Sequence, residues 1–185
     1  ILFRADQGSL AEMTDRVAAL PLAFHPGTRW EYSVGIDVLG RVIEVVSGKS
    51  LEAFLVDEIL GPLGMDETRF SVPAGGIDRF ASLYTPLAGS AYGMNAAKPD
   101  TPVLRCVDKP DTSPFLNAQM HSGGGGLVGS IADYHRFATM LLNGGELDGA
   151  RILSPKTVRL MRTNHLPNNA DLTERKSSLF SEANN

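Results

Sequence analysis

Tyr32 is a side chain whose surroundings could support proton transfer. It stands in the run Trp30-Glu31-Tyr32-Ser33, between the Pro26-Gly27 turn and the start of an apolar periodic stretch. A phenol beside a helix N-terminus meets the partial positive charge gathered there, which favours its anionic form. A free phenol titrates near ~10, so a base near neutrality also needs a cation close by. On spacing alone, a packed structural tyrosine is the simpler reading.

A second stretch invites attention. His121-Ser122-Gly123-Gly124-Gly125-Gly126 superficially matches glycine-rich loops that aim backbone N–H groups at a developing negative charge. The other reading is a tight backbone turn into a helix capped by Ser130. No G-x-S-x-G elbow accompanies it, so the turn is favoured. The glycines still require a close approach or a sharp bend. Other signatures fail: there is no G-x-G-x-x-G turn, no Walker loop and no H-E-x-x-H pair. The histidines, among them His121 and His135, read as structural or surface residues, not as metal ligands.

Composition excludes several classes. The 185 residues carry 21 acids and 17 bases, a formal charge of -4, which argues against a phosphate-neutralising nucleic-acid surface. One cysteine excludes an intramolecular disulfide framework and a Cys-only zinc site, and fits cytoplasm or periplasm equally. Val38–Val46, among the longest apolar stretches, is broken by Gly40, Arg41 and Glu44, so no membrane span is expected. An apolar fraction of 43% is too high for disorder, and a globular domain remains.

Helices must position these groups. Ser9 and Glu12 form a capping box for a helix over 9–20, with Leu10, Met13, Val17 and Leu20 on one face. Ser33 is expected to cap a second helix over 34–47. Val34, Val38, Leu39, Val42, Ile43 and Val46 give its apolar stripe, and Gly48 its left-handed end. Ser50 caps a third, short helix that Gly61-Pro62 ends. From Phe70 to Pro114 no helical period appears. Short β-type runs at 68–72, 81–84 and 103–107 alternate there with long loops. Ser130, with Asp133, starts a helix to about Asn143, with Ile131, Tyr134, Phe137, Ala138, Leu141 and Leu142 expected inside. Ser154-Pro155 opens the last helix, whose apolar side is Val158, Leu160 and Met161.

Taken together, several runs resemble the serine β-lactamase and penicillin-binding-protein superfamily, and within it the class C-like group that includes carboxylesterases. They are Phe24-His25-Pro26-Gly27-Thr28-Arg29-Trp30-Glu31-Tyr32-Ser33, then Asp37-Val38-Leu39-Gly40-Arg41-Val42-Ile43-Glu44, Ser47-Gly48 and Pro62-Leu63-Gly64-Met65-Asp66-Glu67-Thr68. Gly124 through Asp133, Phe137, Leu141-Leu142-Asn143-Gly144-Gly145 and Leu153-Ser154-Pro155-Lys156-Thr157 continue the match. The resemblance implies an α/β (α+β) fold, an antiparallel sheet flanked by helices plus a helical lobe. This chain would supply mostly the helical lobe and the loop- and strand-rich excursion from Phe70 to Pro114.

The family uses a Ser-x-x-Lys nucleophile, a Tyr-x-Asn-like motif and a Lys-Thr-Gly-like edge strand. Only the second is matched here, by Tyr32-Ser33-Val34. The resemblance assigns Tyr32 a catalytic proton-shuttling role and places Val34, Gly124 and Gly125 at the substrate. Val34 in place of Asn removes an amide that could bind a substrate carbonyl, which leans toward an esterase over a β-lactamase. No Ser-x-x-Lys occurs, and Lys156-Thr157 is followed by Val158. The expectation is therefore that residues 1–185 are the central portion of one such domain, truncated at both ends and inactive alone. The parent would act through an acyl-enzyme on a small ester or amide, with no metal or organic cofactor. Its partner would be the remainder of its own domain. Two alternatives stay open: a non-catalytic binding module that keeps the fold and lacks the nucleophile, and a structural half that assembles with a second chain.

Overall fold

The computed structural model describes residues 8–28, 33–86 and 104–169. They fall into two compact units. The first holds residues 8–20, 34–76 and 114–164; the second holds the described residues among 21–33, 77–113 and 165–169.

The first unit opens with α1 (Leu10–Ala18). The expected capping box is present: Ser9 Oγ accepts from Glu12 N–H at 3.2 Å, and the Ser9 N–H donates to Glu12 Oε2 at 2.8 Å. Leu10 and Met13 are buried as expected, whereas Leu20 lies beyond the helix and is exposed. The Ser9 backbone N–H, and then its hydroxyl, hold the Glu12 carboxyl below its usual range. A depressed carboxylate contributes stability above its unfolded value and loses it as pH falls through the folded value. Stability profiles of wild type and Glu12→Gln are thus expected to differ above the ordinary glutamate range and converge in acid. Parallel profiles throughout would show that the box carries no such linkage.

α2 (Gly35–Ser47) begins one residue later than expected, and its cap differs. Val34, not Ser33, occupies the cap position, and no side chain bonds the first turn. Gly48 ends the helix at φ 70°, in the left-handed conformation expected. The larger surprise is its orientation. Asp37 and Gly40 are buried and Arg41, Glu44 and Ser47 half-buried, while Ile36, Leu39, Val42 and Val46 are exposed, Val46 by 82%. The apolar stripe is real, but most of it faces outward; of its members only Val34 and Ile43 are half-buried, and Ile43 packs on the core. Gly40 lets α2 approach closely, since a Cβ there would lie 2.9 Å from Leu51 Cδ2 and 3.2 Å from Leu10 Cδ2 and push on both.

Ser50 caps α3 (Leu51–Leu55) as expected, through the Ala53 N–H. α3 then widens into a π-helical turn, Val56–Leu60, closed by Gly61 N–H to Val56 O at 2.9 Å. A Cβ on Gly61 would stand 2.9 Å from that same oxygen.

A first core joins Leu10, Met13, Leu51, Phe70, Ala118 and Met120. A second joins Leu60, Leu63, Met65 and Met140. Met140 belongs to α4 (Ile131–Leu142), which Ser130 caps through the Asp133 N–H as expected. The expected inner face is partly reversed: Phe137 and Leu141 pack inward, but Ile131, Tyr134, Ala138 and Leu142 point out. After α4, Gly145 at φ 99° leads into the hairpin β1 (Glu146–Leu147) and β2 (Ala150–Arg151). A Cβ there would overlap Leu153 O at 2.1 Å, so only glycine fits. α5 (Pro155–Met161) starts at the Ser154 cap and buries Val158, while Leu160 and Met161 are exposed.

The run at 68–72 forms no strand. Arg69 and Val128 make one isolated antiparallel bridge. In the second unit the other two β-type runs are present as β3 (Leu83–Pro86) and β4 (Leu104–Asp108), paired antiparallel with a bulge between Leu83 and Tyr84. Among the described residues no helix is long and apolar enough to cross a membrane.

Candidate active site

Tyr32, the expected catalytic residue, lies outside the described residues, as do Arg29, Trp30 and Glu31. The described part of the candidate site is the head of α2 and what binds there. Val34 forms the cap position and is half-buried. Its side chain has no hydrogen-bond donor or acceptor.

Asp37, the third residue of α2, is 4% exposed and turns inward. Its Oδ1 accepts from the Ser122 hydroxyl at 2.5 Å and from the Gly124 N–H at 3.3 Å. The glycine stretch is thus bound to the first turn of α2. The fit is close: a Cβ on Gly123 would lie 2.6 Å from Ile36 O, and one on Gly124 2.8 Å from Asp37 Oδ2. Gly125 is exposed, and a Cβ there would meet nothing within 4 Å. Gly126 is buried, and a Cβ there would lie 2.9 Å from the Phe70 ring. The loop is therefore clamped at Gly124, supported at Gly126 and open at Gly125 between them.

The structure brings Val34 and Gly124 to the same helix end and gives the two expected substrate glycines different characters. A side chain at Gly124 would press on the Asp37 carboxylate; Gly125 faces open space. Their neighbour His121 stacks on Phe70 with ring centroids 4.6 Å apart, and its Nε2 lies 3.7 Å from Glu52 Oε2. That matches a structural histidine. Among the described residues no cluster of three or more His, Cys, Asp or Glu could hold a metal.

The residues sequence reasoning passed over are Asp37 and Ser122. A carboxylate in a helix's first turn reads as an ordinary complement to the helix dipole. Only the fold shows that it faces inward and meets a serine distant in sequence. Asp133 repeats the device. It is the third residue of α4, buried, and its Oδ2 accepts from the Thr68 hydroxyl at 2.8 Å and the Glu67 N–H at 2.9 Å.

The sequence profile of the beta-lactamase family matches residues 2–174, and the chain belongs to that family. Protein Rv1367c of Mycobacterium tuberculosis (strain ATCC 25618 / H37Rv) is 38% identical over 152 residues, covering 81% of this chain and 34% of its own length. Esterase EstB of Burkholderia gladioli is 40% identical over 72 residues, 35% of this chain and 18% of the esterase. Among solved structures, "EstCE1, a hydrolase with promiscuous acyltransferase activity" superposes with a TM-score of 0.66 at 26% identity, over 90% of this chain and 43% of that one. The fold is β-lactamase/transpeptidase-like, with helices and strands mixed. The chain spans about a third of the length of the first of these curated relatives.

Proposed function

We propose that this chain is the tyrosine-bearing central part of a serine hydrolase that acts on small esters or amides through an acyl-enzyme. The observation that carries the reading is the head of α2. In sequence the Tyr32-Ser33-Val34 run ends at its cap residue, and the glycine stretch is bound to its first turn through Asp37. Membership of a family that includes esterases supports the same chemistry, and Val34 in place of an amide favours an ester over a β-lactam. The outward apolar stripes of α2 and α4 are surfaces that the rest of the domain would cover.

In the proposed reaction a serine outside this chain attacks the substrate carbonyl. Its proton passes to a lysine three residues on, together with the Tyr32 phenolate. The tetrahedral adduct collapses, and the Tyr32 phenol protonates the departing alcohol or amine. Water then adds to the acyl-enzyme and gives its proton to the same pair, which returns it to the serine oxygen as the acid leaves. Gly125 lies at the open rim, where the missing side chain leaves room for the acyl group.

The test is intact-mass detection of an acyl adduct after mixing with p-nitrophenyl butyrate. The natural gene product that contains this chain is expected to show the adduct and a matching burst of nitrophenol. The isolated 185 residues, which contain no Ser-x-x-Lys, are expected to show neither. A gene product without an adduct or turnover sinks the hydrolase reading, and a burst from the isolated residues sinks the placement of the nucleophile.

A further inference from the structure

We propose that Asp37 is a positioning residue for this site: it fixes the open glycine rim to the helix that follows the tyrosine motif. The inference rests on the hydrolase reading above. The stretch from Gly123 to Gly126 has no side chains with which to hold its own place, and glycine backbones gain the most freedom when released. Its location depends on fixed points to either side of Gly125. One is the pair of bonds that Ser122 Oγ and Gly124 N–H donate to Asp37 Oδ1. The other is the seat of Gly126 against Phe70, followed by the Arg69–Val128 bridge. Gly125, open to space, lies between them.

Asp37 serves a single oxygen to both donors, one a side chain and one the rim's own backbone. Charge-assisted bonds of this kind are roughly twice as strong as neutral ones. Because Asp37 stands three positions after Val34, any movement of the α2 head would carry the rim with it. The rim and the tyrosine-motif helix therefore behave as one piece. Removing the carboxylate would release Gly124 and separate the two, while Val34 and the open Gly125 keep their own chemistry.

Asp133 supplies the comparison. It is an equally buried first-turn carboxylate accepting one hydroxyl and one N–H, but it holds residues 67–68 instead of the rim. A role confined to stability would give the two residues the same phenotype.

The experiment is steady-state hydrolysis of p-nitrophenyl butyrate by the natural gene product and its Asp37→Ala, Asp37→Asn, Ser122→Ala and Asp133→Ala variants. Each is assayed well below its own unfolding midpoint. Asp37→Ala is expected to lower kcat/KM by about 10-fold or more, since small misplacements of a site are costly. Asp37→Asn, whose amide oxygen can accept the same two bonds, recovers most of that loss. Asp133→Ala loses comparable thermal stability but keeps the wild-type kcat/KM. Hydrogen exchange at the Gly124 amide accelerates in Asp37→Ala and not in Asp133→Ala. Wild-type kcat/KM in a folded Asp37→Ala protein overturns the proposal, as does an equal kinetic loss in Asp133→Ala. If Asp37→Ala does not fold, Ser122→Ala decides, and an unchanged kcat/KM in that variant overturns it. A wild-type gene product that forms no acyl-enzyme overturns the hydrolase reading itself, a result visible before any variant is compared.

Discussion

On the proposed mechanism, Tyr32→Phe in the natural gene product is expected to lower hydrolysis of an activated ester by about 10²-fold or more, the range that general acid–base catalysis contributes. The substitution keeps the ring and removes only the hydroxyl. Loss of one hydrogen bond costs about 1 kcal/mol of stability, too little to unfold a typical domain. The loss therefore falls on rate. A phenolate base also leaves a signature in pH. On that mechanism wild-type kcat/KM is expected to rise with pH as the phenol ionises, because only the anion accepts the serine proton. In Tyr32→Phe that rising limb disappears. A variant with wild-type rate and an unchanged profile removes Tyr32 from the mechanism, whatever becomes of the serine.

Phe70→Ala is expected to cost about 3–5 kcal/mol, the range for truncating a buried aromatic. Phe70 is 1% exposed and lies in the core formed by Leu10, Met13, Leu51, Ala118 and Met120. It also stacks on His121 and underlies Gly126. Small domains hold about 5–15 kcal/mol in total, so much of the margin would go. The check is the urea midpoint with its slope, since an unchanged slope assigns the shift to stability. A loss under about 1 kcal/mol would mean that this cluster can collapse around the gap and is not the support of the glycine loop.

Local signals in the sequence translated well into local structure. The Ser9–Glu12 box, the Ser50, Ser130 and Ser154 caps and the left-handed Gly48 all stand where residue types placed them. These depend on neighbours a few residues away. Ser33 failed as a cap although its residue type suits the position, because α2 begins one residue further on and Val34 takes the place. Facing failed more seriously. Periodicity separates the two sides of α2 and α4 but does not say which side is inside. Here Asp37, Gly40, Glu44 and Ser47 turn in, while Ile36, Leu39 and Val42 turn out. That is a packing decision made by partners, and no window along the helix contains it. The candidate site was read from the family's motif at Tyr32, which lies outside the described residues, and at Val34 and the glycines, whose substrate role is proposed. It was illegible at Asp37 and Ser122, whose meeting joins positions far apart in the chain.

The π-helical turn at Val56–Leu60 has a consequence for how this segment tolerates changes of length. An α-helix advances about 100° per residue, from 3.6 residues per turn. A π turn holds one residue more than an α turn. One residue taken out of the widened turn would let the helix close regularly, and the side chains beyond it would keep their facing toward Met140. One residue taken out of the regular turn of α3 would instead rotate Leu60, Leu63 and Met65 by about 100° relative to Leu51. The widened turn is thus the place in this segment where a change of one residue is absorbed.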